Sequence, residues 1–162
     1  VERWRAPPPE WPDLAHLPMS QETVSVHETA TTIEVWSRAG GCLLLSKQDG
    51  SKIGSSYFDI EGALSEVHGT ETERLLLLND GRCCLYRTGE KVADLATKGP
   101  VQHALHTNDR WILSGWREEI ELRQNSVQTT NQNEVVVQHL VKDEQLWMLT
   151  NDGVLTHSFL TE

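Results

Sequence analysis

The sequence stretch VQHALHTNDRWILS, residues 101–114, is followed 36 residues later by a second version of itself, VQHLVKDEQLWMLT, at residues 137–150. His103 recurs as His139, and Trp111 recurs as Trp147, at this same spacing. A β-rich repeat of such a length indicates one sheet unit that is copied around an axis or along a solenoid. The repeat therefore predicts how the chain is built, and it does not point to any particular chemistry.

Turn residues extend the same unit toward the N-terminus. The tripeptide Asn-Asp-Gly occurs at residues 79–81 and at residues 151–153, each time four residues after Leu75 or Trp147. Turns of this composition favour β-hairpins, because glycine and asparagine tolerate the positive φ that the turn requires. Leu75, Trp111 and Trp147 consequently succeed one another at 36-residue intervals, and we expect them to occupy equivalent places in successive units.

Four units account for most of the chain. Each contains three clear short strands and has room for a fourth, and Ile33 leads the series by a longer step. Only residues 61–68 leave room for a short helix. The predicted units are residues 22–62, 63–100, 101–134 and 135–162.

Residues 1–21 are predicted to form an N-terminal arm that is rich in proline and tryptophan. Prolines at positions 7–9, 12 and 18 block both helix and central strand, because proline has a fixed φ and no backbone N–H. Trp4 and Trp11 make the segment too apolar for a simple spacer. Two interpretations remain open: the arm packs across its own domain, or it docks on another chain.

The charge balance restricts the possible partners. The chain contains 24 acidic and 14 basic residues, which gives a net charge of −10. An acidic surface repels phosphate backbones, so we do not expect a nucleic-acid partner. The sequence contains no run of about 18 apolar residues, so we expect no membrane span.

Three cysteines, Cys42, Cys83 and Cys84, bear on the compartment. An odd number without spaced pairs argues against a disulfide framework and favours a reducing environment. We therefore expect an intracellular protein, cytoplasmic or nuclear. Cys83 and Cys84 are neighbours in a predicted strand, so their side chains should point to opposite faces of its sheet.

The third unit resembles a known repeat family. Residues 112–115, Glu118 and residues 120–122 are similar to the leucine–serine–glycine step, the acidic turn residue and the following apolar strand of degenerate WD40-type repeats. The resemblance covers about residues 22–162. It implies an all-β chain of β-propeller-like repeats with about four blades.

Two departures from that family leave alternatives open. No unit has the family's Gly-His or Trp-Asp pair, so His103 and His139 cannot be assigned to its hydrogen-bond network. Propellers usually close with four to eight blades. Four units could form a very small propeller, which is rare, so we expect part of a larger propeller. Such a propeller would be completed by residues outside this sequence or by another chain. The alternative architecture is a β-sandwich or barrel whose hairpins imitate the repeat.

No residue pattern points to catalysis. The sequence contains no GxSxG, P-loop or GxGxxG motif, and Ser114 and the cysteines lack a neighbouring base. His103 and His106 lie three residues apart on a predicted strand, so they should face opposite sides and cannot converge on a metal ion. We therefore expect neither an enzyme nor a bound cofactor.

These features lead to one functional hypothesis and one alternative. The hypothesis is a non-catalytic protein–protein interaction scaffold, a subunit of a complex with other protein subunits. Trp116 and Arg117 occupy a turn in which a repeat core needs no indole, and such pairs are typical of interface hot spots. Together with Trp4 and Trp11 of the arm, they are the predicted partner-binding residues. The alternative is a glycan-binding or small-molecule-binding propeller, or a hydrolase, with its site on the propeller axis.

Overall fold

A computed structural model describes residues 22–107, 109–123 and 126–160. These residues form four antiparallel sheets, here numbered 1 to 4 along the chain, and strands that are consecutive in sequence are neighbours in each sheet. Sheets 1 to 3 have four strands each, and sheet 4 has three. The strands are β1 (Thr23–Glu28), β2 (Thr32–Ser37), β3 (Gly41–Ser46), β4 (Lys52–Tyr57), β5 (Leu64–Gly69), β6 (Glu73–Leu78), β7 (Arg82–Arg87), β8 (Glu90–Ala96), β9 (His103–Thr107), β10 (Arg110–Gly115), β11 (Glu118–Arg123), β12 (Ser126–Asn131), β13 (Val136–Lys142), β14 (Gln145–Thr150) and β15 (Leu155–Phe159). Within these segments no helix is long and apolar enough to cross a membrane.

The turn between the second and third strands differs among the sheets. Sheets 1, 2 and 4 place Gly40, Gly81 and Gly153 there, with φ values of 87°, 87° and 84°. Glycine adopts this left-handed backbone without the steric cost of a Cβ atom. Sheet 3 instead turns through Trp116 and Arg117, and Arg117 has a φ of 54°. The turn between β10 and β11 of sheet 3 therefore presents two large side chains, where the equivalent turns of the other sheets contain a glycine.

Sheets 2 and 4 have the same hydrogen-bond register at an offset of 72 residues. Leu77 pairs with Cys83 as Leu149 pairs with Leu155. A bulge also follows the first residue of β5 and the first residue of β13. Two residues that are 72 positions apart in these sheets are called matched positions below.

Sheet 3 is out of step with this register by one residue. Its first hairpin pairs Thr107 with Arg110, and the corresponding hairpin of sheet 4 pairs Lys142 with Gln145. The offset between these pairs is 35 residues rather than the 36 of the sequence repeat. Because neighbouring strand residues point to opposite faces, a shift of one residue exchanges the two faces of the sheet.

The two repeated tryptophans therefore lie on opposite faces, and the prediction that they are equivalent is wrong. Trp111 is buried against sheet 2. Trp147 points away from sheet 3, since the next residue, Met148, pairs with His139, and the His139 ring contacts Ser114 of sheet 3. Leu75 and Trp147, by contrast, are matched positions, as the sequence predicts.

Two apolar cores lie between neighbouring sheets. The first joins sheets 1 and 2 and includes Trp36, Leu76 and Cys84. The second joins sheets 2 and 3 and includes Leu75, Leu77, Cys83, Leu85, Trp111, Leu113, Ile120 and Leu122. Cys83 and Cys84 thus lie in different cores, which confirms that their side chains point to opposite faces. Sheet 2 is consequently buried on both of its faces.

The structure shows that the possible helix at residues 61–68 is absent. It does not test the unit boundaries or the N-terminal arm. Residues 61–68 contain no helix, because Leu64–Gly69 forms β5, the first strand of sheet 2. Leu64 and Val67 are both buried there, and packing of the strand overrides any local helical preference. Each sheet lies within one predicted unit, and the unit boundaries themselves stay predictions. The arm at residues 1–21 lies outside the described residues.

Candidate functional site

The turn between β10 and β11 positions the two candidate residues that the structure describes. All six residues of β10 are buried, and Gly115 at its end pairs with Glu118 at the start of β11. The chain therefore reverses within the two residues that remain, Trp116 and Arg117. Both are exposed, and the exposed fraction of Trp116 is 52%.

Contacts on two sides hold this turn in place. Glu118 is buried, and its carboxylate accepts a hydrogen bond from the backbone N–H of Lys98 in the preceding connection. A Cβ atom at Gly99 would lie 2.9 Å from the Cβ of Trp116, so the backbone there packs directly beneath the indole. On the other side, the N–H of Gln132 donates to the Arg117 carbonyl over 2.9 Å. The indole is thus exposed on a backbone that is fixed.

The charge around the turn differs from that of the molecule as a whole. Arg117 is exposed beside Trp116, and the ammonium group of Lys98 donates to the Asn131 side chain nearby. The nearest acid, Glu118, is buried and already accepts a hydrogen bond. The turn therefore combines an aromatic surface with positive charge on a chain of net charge −10. The other two candidate residues, Trp4 and Trp11, lie outside the described residues.

A second cluster, at the contact between sheets 3 and 4, resembles a serine–histidine–acid arrangement. Ser114 Oγ lies 3.0 Å from Nε2 of His139, and Glu119 Oε2 lies 3.9 Å from the same nitrogen. Sequence reasoning missed this contact, because Ser114 and His139 belong to different units. The burial of both residues gave no signal in the sequence.

This cluster lacks the geometry of a catalytic triad. The acid and the serine approach the same ring nitrogen, whereas a triad places the acid on the other nitrogen to orient the base. His139 Nδ1 has no hydrogen-bond partner among the described residues. Burial, together with the nearby His103, lowers the pKa of His139 to about 4, and Ser114 is fully buried. The contact is therefore an internal packing contact between sheets, closed to a substrate.

Buried carboxylates join the sheets at the other two contacts. Glu34 of sheet 1 accepts a bidentate pair of bonds from Arg74 of sheet 2, at 2.7 and 2.5 Å. Glu73 of sheet 2 accepts a 2.8 Å bond from the indole N–H of Trp111 in sheet 3, and it also binds Arg87 of its own sheet. Charged hydrogen bonds of this kind fix orientation as well as spacing.

The sequence carried a weak signal for these two acids. Glu34 and Glu73 each stand within a strand that is otherwise largely apolar, where an unpaired charge would be costly. That pattern indicates a buried partner but cannot name it, because the partner lies on another unit. The same bond explains why Trp111 is buried and cannot serve as an exposed binding platform.

The remaining titratable groups do not form a reactive site in the described part of the chain. Burial raises the pKa of Cys42 and of Cys83 to about 12, so both stay protonated thiols rather than nucleophiles. The ring of His103 lies edge-on to that of His139 in sheet 4, and His106 packs on Trp111 near Glu73. This confirms that the two histidines face opposite sides of β9. Across residues 22–107, 109–123 and 126–160, no group of His, Cys, Asp or Glu could hold a metal ion.

Comparison with solved structures gives the fold and little more. The computationally designed Ika4 protein matches with a TM-score of 0.67 and 9% identity, over 86% of this chain and 92% of Ika4. BamB from Moraxella catarrhalis matches with a TM-score of 0.63 and 13% identity, over 85% of this chain and 49% of BamB. BBS1N, solved in complex with ARL6DN, matches with a TM-score of 0.60 and 14% identity, over 80% of this chain and 43% of BBS1N.

These neighbours are β-propeller proteins, and the chain spans about half the length of BamB and BBS1N. No protein-family model matches the sequence. No curated protein matches it either. Identities of this size show a shared fold and do not establish what this chain binds or whether it has an activity.

Proposed function

Because this chain has the β-propeller fold, we propose that it is a non-catalytic scaffold that binds other protein subunits within a multiprotein complex. The observation that carries the proposal is the turn at Trp116 and Arg117, which is exposed and yet fixed on both sides. A side chain on an ordered backbone loses less conformational freedom on binding, so more of the contact energy appears as affinity. Tryptophan and arginine are also enriched at interface hot spots.

The proposal extends to the arm and to the location of the protein. Trp4 and Trp11 are proposed to contact a partner together with the turn. An intracellular location, cytoplasmic or nuclear, is supported by the three cysteines, all of which are buried as free thiols. The BBS1N neighbour, solved with ARL6DN, supports a protein as the kind of partner. Classification as a degenerate WD-type repeat protein belongs to the same proposal.

The alternative, a glycan or small-molecule site lined by tryptophan, has less support. Its candidate stacking surfaces are Trp111, Trp116 and Trp147. Trp111 is buried and its N–H is bound to Glu73, while Trp147 lies on the opposite face of its sheet from the position expected. Of the three, Trp116 is exposed in a turn, while Trp147 is only partly exposed, on the face of sheet 4 that is turned away from sheet 3. The exposed turn favours the protein-binding interpretation.

Quantitative affinity capture with matched variants tests the proposed function. The protein and its Trp116→Ala/Arg117→Ala double variant are used as baits in extracts of the source cells, and captured subunits are reconstituted with purified components. We expect the double variant to weaken the reconstituted binding by at least about tenfold, since hot-spot residues contribute about 2 kcal/mol or more. Tyr57→Ala, at an exposed aromatic residue of sheet 1, serves as the control and should leave binding unchanged.

Two results would contradict the proposal. One is a reconstituted partner that binds the double variant as tightly as the unaltered protein. The other is the absence of any stoichiometric partner, combined with a specific thermal shift on addition of an oligosaccharide or metabolite. That second result would favour the ligand-binding alternative.

A further inference from the structure

Sheet 4 has one apolar face that nothing in the described residues covers. Leu140 pairs with Trp147 and Leu149 pairs with Leu155, so these four side chains share a face, and Phe159 joins them at the end of β15. Leu140 and Leu155 are each 59% exposed, and Phe159 is 69% exposed. These five residues define the open face of sheet 4, which is turned away from sheet 3.

Three matched positions in sheet 2 are covered by a neighbouring sheet. Leu75, Leu77 and Cys83 are the matched positions of Trp147, Leu149 and Leu155. They are buried, with exposed fractions of 0%, 4% and 0%, because sheet 3 packs over them. At sheet 4 the same backbone register therefore leaves Trp147, Leu149 and Leu155 at positions that a neighbouring β-sheet covers in sheet 2. Exposed apolar patches of this kind mark interaction sites.

Within the described residues, the strand at the edge of this face has no further strand beside it. The third strands of sheets 1 to 3 are inner strands, whereas β15 is the edge of a three-stranded sheet and all five of its residues are exposed. Its sequence, Leu-Thr-His-Ser-Phe, has no charged residue and no proline. Natural edge strands usually carry such residues, because they discourage pairing with other chains.

Charge makes this face suited to a second copy of the chain. The molecule has a net charge of −10, so most surfaces of two copies repel each other. The residues that share the open face with the five apolar side chains are Gln138, Lys142, Gln145 and His157, none of them acidic. Asp143 and Glu144 lie in the turn beyond the sheet. Two copies can therefore approach through this face without opposing carboxylates.

The face contains both a depression and an exposed aromatic side chain. Leu140, Trp147, Leu149 and Leu155 line a depression of about 220 Å³, and the exposed Phe159 stands on the same face. In a two-fold dimer, each copy presents both a projecting aromatic side chain and a depression, so one contact is made twice. We infer that two copies of this chain associate through the open face of sheet 4, with Phe159 of each copy inserted into the depression of the other.

Sedimentation velocity over a range of protein concentrations tests this inference on the full chain. We expect a reversible dimer, and we expect Phe159→Ala to raise its dissociation constant by at least about thirtyfold, since each dimer loses two hot-spot contacts. The matched control is Ile53→Ala, which removes an apolar side chain of similar exposure, 58%, from sheet 1 and should leave the constant unchanged. Circular dichroism confirms that both variants remain folded.

A cross-linking experiment separates this geometry from other dimers. Leu140→Cys and Phe159→Cys chains, mixed and oxidised, should form the mixed disulfide, because the inference places these residues in contact across the two-fold axis. A protein that stays monomeric to about 100 µM overturns the inference, as does a dimer that Phe159→Ala leaves unchanged. The Trp116→Ala/Arg117→Ala variant should dimerise normally, so failure here is distinguishable from failure of the proposed function.

Discussion

Sheets 2 and 4 have the same backbone register and very different surroundings. Leu77 and Leu149 are matched positions with the same side chain, yet Leu77 is buried in a core and Leu149 lies on the open face. The pattern of strand pairing is the same around both residues. The difference between the two sheets therefore comes from what packs on them, and not from how each sheet folds.

The comparison teaches that the repeat specifies a sheet, while neighbouring sheets decide the role of each side chain. Where the two residues of a matched pair differ in type, each suits the residues that it contacts in its own sheet and in the neighbouring sheet. Val67 of sheet 2 packs in an apolar core, and its match His139 contacts a serine and an acid. Glu73 holds Trp111 of the next sheet, and its match is Gln145. These pairs allow the comparison to be tested one position at a time.

The largest effect is expected at the two matched leucines. Leu77→Ala should lower the free energy of unfolding by about 3 kcal/mol, because it leaves a cavity in a closed core. Leu149→Ala should lower it by about 1 kcal/mol, since solvent already reaches that side chain. Urea unfolding of dilute protein, followed by circular dichroism, measures both values. Equal losses would show that sheet 4 is as well covered as sheet 2.

The buried acid of sheet 2 should give the next effect. Glu73→Gln installs the residue type that sheet 4 has at the matched position. We expect a loss of about 3 kcal/mol in the free energy of unfolding, because Arg87 loses its charged partner and Trp111 loses a charged acceptor. The control is Glu66→Gln, at an exposed residue of the same sheet. A change below about 0.5 kcal/mol in Glu73→Gln would contradict this role for the acid.

The contact between sheets 3 and 4 should respond to pH. The pKa of His139 is about 4 in the folded chain, below its ordinary value of 6.5, mainly because of burial and then because of His103. The unfolded chain therefore takes up this proton first as the pH falls. This contribution to stability is fully present above about pH 6.5 and is lost as the pH falls toward 4, amounting to about 2 kcal/mol between pH 7 and pH 5.

A variant that places the matched residue of sheet 2 at position 139 isolates the contribution of His139 to the pH dependence of stability. His139→Val installs the residue found at the matched position, and it should flatten the pH dependence of unfolding between pH 7 and pH 5 by that amount. The neighbouring Glu119 has a pKa raised by burial and then by Glu121, and its effect has the opposite sign, since its contribution to stability is present at low pH and is lost as the pH rises through the raised pKa. A pH dependence that is identical in the two proteins would rule out His139 as its source.

The smallest expected effect is the difference in stability loss between alanine substitutions at the glycines of the two matched turns. Gly81 and Gly153 are matched positions with φ values of 87° and 84°, so alanine is strained at both, by about 1 kcal/mol. At Gly81 the added Cβ would also lie 3.2 Å from the Gly99 carbonyl oxygen, whereas nothing lies within 4 Å of it at Gly153. Thermal unfolding should therefore show a loss that is larger for Gly81→Ala, by a few tenths of a kcal/mol to about 1 kcal/mol. Equal losses would show that the connection at Gly99 yields freely.

Much of the fold could be predicted from the spacing of turns and apolar positions. The matching Asn-Asp-Gly turns at residues 79–81 and 151–153 sit at one register in sheets 2 and 4, because a turn of fixed length fixes the pairing on either side of it. The equal spacing of Trp111 and Trp147 was misleading for the same reason. In sheet 3 the β9–β10 hairpin is displaced by one residue relative to the β13–β14 hairpin, so Trp111 and Trp147 lie on opposite faces.

The candidate site also has one part that the sequence predicts and another that it does not. An indole and an arginine in a turn could be singled out from the sequence, because a repeat core has no use for them there. Gly99 and Gln132, which contact that turn, belong to the connections on either side of sheet 3. No local sequence pattern predicts these contacts. The bonds from Glu34 to Arg74 and from Ser114 to His139 likewise join residues of different units, whose partners depend on how sheets are placed side by side.

The sequence by itself determined that the chain is all-β, that it is built of propeller-type repeats, and that Trp116 and Arg117 depart from the repeat. These features depend on local periodicity and turn chemistry, which act over a few residues. Only the tertiary structure decided which face of each sheet is covered, that Trp111 is a buried donor, and that no other described residue covers the apolar face of sheet 4. Those features depend on one residue of register and on contacts between sheets, and the free energy of both is fixed only when the sheets pack.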